Sequence, residues 1–299
     1  MSAIEPRAHR RAIALMIVAP VLWSTAGVVT RHIESAGRWE VTFWRSLFAA
    51  MFLLAALLFM RGARTWEAVR ATGGYGVLSG AMWSIMFVAF MLALMTTTTA
   101  NTLIVNSISP LLTALLARAV LRDPIAPRTW AAIVLAISGM LWMFGSGFAG
   151  GEARHLAGML IALAVPVAAA VNFVTLKHAG RSVDLVPAVL LGAVFSAAVT
   201  LPFALPFTAS MNDILLLAML GCLQLGLPCM LMVRASPHLS APELSLLAML
   251  EVVLGPLWAW LGAGEAPALA TLAGGGLVLA ALLINELAAF GLRAHARRN

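Results

Sequence analysis

Apolar runs about twenty residues long, separated by short polar turns, fill the chain from residue 12 to residue 290. Ten of them can cross a hydrocarbon layer about 30 Å thick. They cover 12–30, 40–60, 74–95, 98–120, 128–147, 156–177, 184–205, 212–233, 240–262 and 267–290. Inside a bilayer no water satisfies free backbone groups, so each run is predicted as helix. The third and fourth are divided only by Thr96 to Thr99. The basic start from Arg7 to Arg11 ahead of an apolar run has the look of a signal peptide. That run spans a whole membrane, however, and is read as an uncleaved first helix. No connecting segment is long enough to fold separately, so function is expected within the membrane.

The pattern also occurs twice. Pro20-Val21, Val28 and Arg31-His32 return as Pro166-Val167, Val174 and Lys177-His178, an offset of 146 residues. Gly80 returns as Gly226 and Pro110-Leu111 as Pro256-Leu257 at the same offset. A shared spacing over three apolar stretches points to duplication. The expected fold is an all-α integral membrane protein of ten transmembrane helices, with one five-helix repeat in 1–150 and a second in 151–299. An odd number of crossings per copy inverts the second copy, the arrangement found in many secondary transporters.

Composition settles the class. Hydrophobic residues make up 62% of the 299 and charged ones 10%, where a soluble protein would carry about a quarter charged. The net charge of +7 is not a nucleic-acid signal here, because the basic residues fall mostly in short loops where they set topology. With the N-terminus in the cytoplasm, fifteen of the nineteen basic residues lie inside and three, Arg31, Arg38 and Arg154, lie outside. Arg45 alone is within a span. Both termini are therefore expected in the cytoplasm. Cys222 and Cys229 are about 10 Å apart along one helix, too far to bond to each other.

Prolines mark where these helices should be interrupted, since each removes a backbone hydrogen bond. Pro20 and Pro166 fall mid-span in the first and sixth runs, and Pro110 and Pro256 in the middle to outer half of the fourth and ninth. Pro228, beside Gly226, falls in the eighth. Matched breaks in two halves point to a transport site, so these five are the candidate gating positions.

Polar residues within spans supply the candidate binding groups. Thr98, Thr102, Asn106, Ser109 and Thr113 share one face of the fourth helix by spacing, and such a stripe faces protein or water rather than lipid. Asn101 adds an amide near the end of that helix distant from the cytoplasm. Glu251, Gly255, Trp258 and Gly262 share a face of the ninth helix. Glu251 is eleven residues from either end of its run, so its carboxyl must be protonated, paired or lining a cavity. Two readings of it stay open: a proton-coupling or substrate-amine site, and a hydrogen-bonded packing group. Arg45 is about five residues deep from the outer face, so it reaches Glu251 only if the helices tilt. Glu265 and Glu286 read as interfacial, and Glu243 as part of a capping box that starts at Ser240. Asn172 and Gln224 are amides in the sixth and eighth helices, able to bridge helices or touch substrate. Trp23, Trp83 and Trp258 lie deep, and Trp23, next to Ser24, is a candidate cavity wall. Gly274-Gly275-Gly276 and Ser138-Gly139 should let the tenth and fifth helices pack closely as scaffold. The histidines show no metal-ligand spacing, and no cluster suited to acid–base catalysis is present. No catalytic residue, metal or cofactor is expected.

The run from Pro242 to Glu265, PELSLLAMLEVVLGPLWAWLGAGE, resembles the ninth helix of EamA-type members of the drug/metabolite transporter superfamily. The run from Asn106 to Leu112, NSISPLL, continuing to Leu121-Arg122-Asp123, resembles the equivalent fourth helix, and Phe43-Trp44-Arg45 the start of the second. Asp123 stands where the family usually shows Glu after a Gly. The resemblance implies a ten-helix inverted-repeat exporter of small metabolites in the bacterial inner (plasma) membrane, its cavity walled by both halves. The aromatic, weakly charged cavity read from the residues suits amino acids, aromatic and hydrophobic ones favoured, moved by alternating access with protons as the candidate coupling ion. The expected partners are a small-molecule substrate and the lipid bilayer, with no nucleic acid, for a monomer or homodimer. A multidrug or other metabolite exporter of the same fold is the alternative, with a membrane enzyme acting on lipid-linked substrates further behind.

Overall fold

In a computed structural model describing residues 6–122, 125–149, 153–179, 185–235, 238–239 and 241–296, each of the ten apolar runs becomes a helix. Five are regular: α2 (Arg38–Arg61), α3 (Gly73–Leu94), α5 (Pro127–Ala149), α7 (Leu185–Ala204) and α10 (Leu269–Ala296). So is α9 (Ala241–Ala263). The other four are jointed: α1 (Pro6–Trp23, then Ala26–Thr30), α4 (Thr99–Ser107, then Ser109–Leu121), α6 (Ala153–Ala162, then Ala164–Ala179) and α8 (Met211–Met219, a π-helical turn Leu220–Gly226, then Leu227–Ala235). A short helix, Arg64–Ala71, bridges α2 and α3. Eight of the crossings are long and apolar enough over the described residues to span a membrane, and two shorter apolar stretches, Leu247–Ala263 and Leu269–Asn285, belong to α9 and α10. Asp123, Ser240 and the side chains of Glu243 and Glu286 lie outside the described residues.

The prolines act as predicted in part. In α4 the joint is at Ile108, and Pro110 occupies the first turn of the second half. Lacking an N–H, Pro110 leaves the Asn106 carbonyl free, and the Ser109 hydroxyl donates to it at 2.6 Å. In α6 the joint is at Leu163, three residues before Pro166. The π-helical turn of α8 ends two residues before Pro228. Pro20 sits inside α1, and the joint comes later, at Ser24 and Thr25. Their hydroxyls donate to the Val21 and Leu22 carbonyls, each at 2.7 Å. The break expected at Pro256 is absent: α9 runs through it unbroken. One missing hydrogen bond does not part a helix held on both sides of the proline by close packing, here by Gly255 against Leu103 and by fully buried Ala259.

The packing repeats itself when five is added to each helix number. Helix α3 packs on α7 as α8 packs on α2, α6 on α3 as α1 on α8, and α6 on α4 as α1 on α9. Three pairs map onto themselves: α2 with α7, α4 with α9, and α5 with α10. A two-fold relation between the halves explains all nine contacts. Gly80 and Gly226, equivalent by the sequence offset, take equivalent places: Gly80 against Leu191 and Phe195 of α7, Gly226 against Phe52 of α2. The self-paired crossing of α2 and α7 is pinned by a buried hydroxyl pair, Ser46 with Ser196, at 2.7 Å. Helices α5 and α10 stand to one side and expose large apolar side chains such as Leu141, Trp142 and Ile284 outward, as lipid contact requires.

Candidate functional site

The start of α1, the end of α10 and the ends of α2, α4, α6 and α8 lie at one end of the bundle, the terminal end. The loops after α1, α3, α5, α7 and α9 lie at the far end. Between them, α4 and α9 diverge around a cavity of about 150 Å³. Asn106, Ser109 and Pro110 of α4 line it opposite Glu251 of α9, with Met249 and Leu282 completing the wall. Asn106 and Ser109, three residues apart on one face, stand on either side of the joint at Ile108 and line the same space.

On the far side of Glu251 the three helices α1, α4 and α9 close on one another. One turn on, Gly255 lies against Leu103 so closely that a Cβ there would strike it. The indole N–H of Trp258 donates to Ser24 Oγ at 3.1 Å. Further out, Gly262 packs against Val28 and Gly27 against Thr99. The outermost layer is ionic: Arg31 Nε donates to Glu265 Oε2 at 2.6 Å, and its NH1 and NH2 donate to the Leu94 and Thr97 carbonyls at 2.7 and 2.9 Å. Glu265 accepts in turn from the Thr99 backbone N–H and hydroxyl. One ion pair thus ties the ends of α1, α3, α4 and α9. Glu265, read as an interfacial residue, holds the bundle together there.

A second polar cluster closes the far end between α2 and α8. Glu40 accepts from the Thr208 and Ala209 backbone N–H groups at 2.9 Å each. Asp213, in the first turn of α8, accepts from Glu34, Ser35 and Ala36 N–H groups at 3.0–3.2 Å. Neither carboxylate was distinguished in the sequence, where each reads as an ordinary residue at a helix start.

Within the bundle, Arg45 of α2 is 2% exposed. Its Nε and NH2 both donate to Gln224 Oε1, at 3.2 and 3.0 Å, and Phe90 lies under the guanidinium at 5.9 Å. Gln224 donates through Nε2 to the Trp23 carbonyl at 3.1 Å. The π-helical turn carries Gln224 into this position, and Gly221 in the same turn lets α8 approach the α2 backbone at Arg45 itself. Arg45 and Gln224 therefore join α1, α2 and α8, and the Arg45 charge acts on Glu251 and on the buried Cys229. Sequence reasoning gave Arg45 a depth along its helix and left what surrounds it open. Its one signal was being the only basic residue within a span.

The remaining candidates divide between this centre and its supports. Trp23, Trp83 and Phe87 share an apolar cluster with Leu53, Leu225 and Cys229, and the Trp83 indole N–H has no partner among the described residues. Asn172 in α6 is buried, with its Oδ1 unpaired among the described residues. Thr102 is fully buried, and its hydroxyl donates to the Thr98 carbonyl at 3.0 Å. Asn101 bonds Thr97 and Thr271, at 3.1 and 2.8 Å, tying α4 to α10 near the far end. Of the stripe on α4, Asn106 and Ser109 reach the cavity, while Thr98 and Thr102 serve the helix itself, Thr98 as its N-cap.

A model of the EamA-like transporter family matches residues 10–145 and again residues 156–286, one match on each half of the bundle. No curated protein matches the chain. Among solved structures, the chain is similar to one described only as a crystal structure of a protein. The two share 19% identity and a TM-score of 0.67 over 93% of this chain and 98% of that one. At that identity the likeness concerns the fold.

Proposed function

Because the chain belongs to the EamA-like transporter family, we propose that it exports amino acids, aromatic and hydrophobic ones favoured, or similar small amphipathic metabolites across the bacterial inner membrane. The observation that carries this reading is the position of Glu251. It lines a small, partly polar cavity between self-paired helices α4 and α9, on the terminal side of a layered seal. A site at the junction of inverted repeats, closed towards one end, is the arrangement alternating access needs. With the termini in the cytoplasm, as the charge bias favours, this state loads from inside. Glu251 serves as the coupling site for protons, facing Arg45 from α2 and Cys229 from α8.

Cavity size favours small cargo. About 150 Å³ is below the range of about 300 to 1,000 Å³ typical of drug-sized ligands, which weighs against the multidrug alternative. Polar groups from α4 and the carboxyl of α9 flank apolar walls from α9 and α10, a lining that accepts a molecule with one charged end and one greasy end.

The test is counterflow. Purified protein in liposomes loaded with each of the twenty amino acids in turn should accumulate the labelled form of at least one, saturably, and aromatic or branched residues should lead. Absence of counterflow for all twenty overturns the amino-acid reading.

A further inference from the structure

Arg45 brings a full positive charge into the middle of the bundle, and among the described residues no carboxylate bonds to it. Gln224 fixes one edge of the guanidinium, because a single carbonyl oxygen accepts from both Nε and NH2. It compensates none of the charge. Gln224 is itself anchored on the Trp23 carbonyl, so the fork cannot swing without disturbing α1. The other edge, NH1 with the second hydrogen of NH2, is left over, and NH1 is buried with no partner among the described residues. A buried guanidinium held in one orientation with an unused edge is costly to keep. Two parallel N–H groups on a planar edge are the donor pattern that a carboxylate accepts in bidentate fashion.

Glu251 lies close enough for its charge to act on Arg45, yet the guanidinium is committed to Gln224. The centre therefore holds a guanidinium and a carboxyl group that are not bonded to each other. A zwitterion, with a carboxylate and an ammonium on one carbon, is complementary to such a pair once the carboxyl releases its proton.

We propose that Arg45 is the seat of the substrate carboxylate, held in register by Gln224, with Glu251 receiving the substrate ammonium. The proposal rests on the transport reading above and names the chemical class of the cargo: molecules with a free α-carboxylate.

The experiment compares an amino acid with its amide, which keeps the ammonium and side chain and lacks the carboxylate. Unlabelled phenylalanine and phenylalaninamide compete for counterflow of labelled phenylalanine in proteoliposomes. If another of the twenty gives faster counterflow, that amino acid and its amide take their place. The wild-type protein should prefer the acid by about tenfold or more in half-inhibiting concentration, the range for one hydrogen bond to a charged group. Arg45→Gln should weaken the acid alone and erase the preference, and Arg45→Lys should restore part of it. Gln224→Leu keeps the cation but frees the fork, and should weaken the acid without moving the amide, which decides the matter if Arg45→Gln does not reconstitute. An acid preference that survives Arg45→Gln, or a Gln224→Leu variant that shifts acid and amide equally or neither, overturns the seat. Wild-type counterflow without an acid preference also overturns it, and leaves the transport reading standing. No wild-type counterflow of any amino acid overturns the amino-acid reading, and the seat with it.

Discussion

Glu251 and Arg45 differ in how far sequence alone could place them. Glu251 is near the middle of an unbroken apolar run, so its depth follows from counting residues, and the structure puts it on a cavity wall. Counting gives Arg45 a depth along one helix but says nothing of what covers it. Its burial depends on Gly221 and the π-helical turn of α8, which bring Gln224 across. A π-helical turn stems from packing and has no periodic signature of its own. If Glu251 carries the coupling proton, fixing it neutral separates two activities. Glu251→Gln should still support counterflow, which needs no net proton movement, but with weaker half-saturation, because the substrate ammonium loses its carboxylate. It should lose accumulation driven by a pH gradient, the ratio of labelled amino acid across the liposome membrane falling to about one. Gradient-driven accumulation equal to that of the wild type would assign the proton to another group.

At the scale of elements, the ten helices were legible and their joints less so. Length and hydropathy set the crossings, and the division of α3 from α4 at 95–98 falls where four threonines interrupt the apolar pattern. Joints need more than a proline, as α9 shows by continuing through Pro256. Glycines teach the same lesson. Gly274, Gly275 and Gly276 read alike in sequence, but a Cβ on Gly274 would lie 2.5 Å from the Gly139 carbonyl oxygen of α5, whereas one on Gly276 would meet open space. A backbone atom cannot move aside as a side-chain tip can. Gly274→Ala should therefore part α5 from α10 and lower stability by about 1–3 kcal/mol, the usual range for overpacking. Gly276→Ala should change it by no more than about 1 kcal/mol, in the stabilising direction, through better helix propensity. Thermal unfolding of the two purified variants, followed by loss of the monodisperse peak in size exclusion, distinguishes these outcomes. Equal melting temperatures would mean that the crossing of α5 and α10 tolerates a wider separation.

Across the whole molecule the two-fold relation between halves was visible as a sequence offset, but the state of the bundle was not. A duplicated sequence encodes both ends nearly alike, and it is the distribution of contacts that makes them unequal. Close glycine contacts, the Trp258–Ser24 hydrogen bond and the Arg31–Glu265 pair accumulate on the far side of Glu251, while the cavity lies on the terminal side. Arg31 and Glu265 were each legible only as end-of-helix charges, 234 residues apart. If that pair holds the far end shut, removing the carboxylate leaves the Arg31 Nε and the Thr99 N–H without their acceptor. Loss of a charge-assisted hydrogen bond is worth about 1.5–3 kcal/mol, enough to shift the open-to-closed ratio by about tenfold to a hundredfold. Glu265→Ala should accordingly raise amide hydrogen exchange over Thr99–Ser107 by that factor while leaving α5 and α10 as protected as before, since their mutual crossing does not involve the pair. Exchange that is unchanged over Thr99–Ser107 would show that the glycine contacts alone hold the far end closed. In the variant, binding from the terminal side should weaken by at most that factor, in step with the fall in the fraction of molecules whose far end is closed.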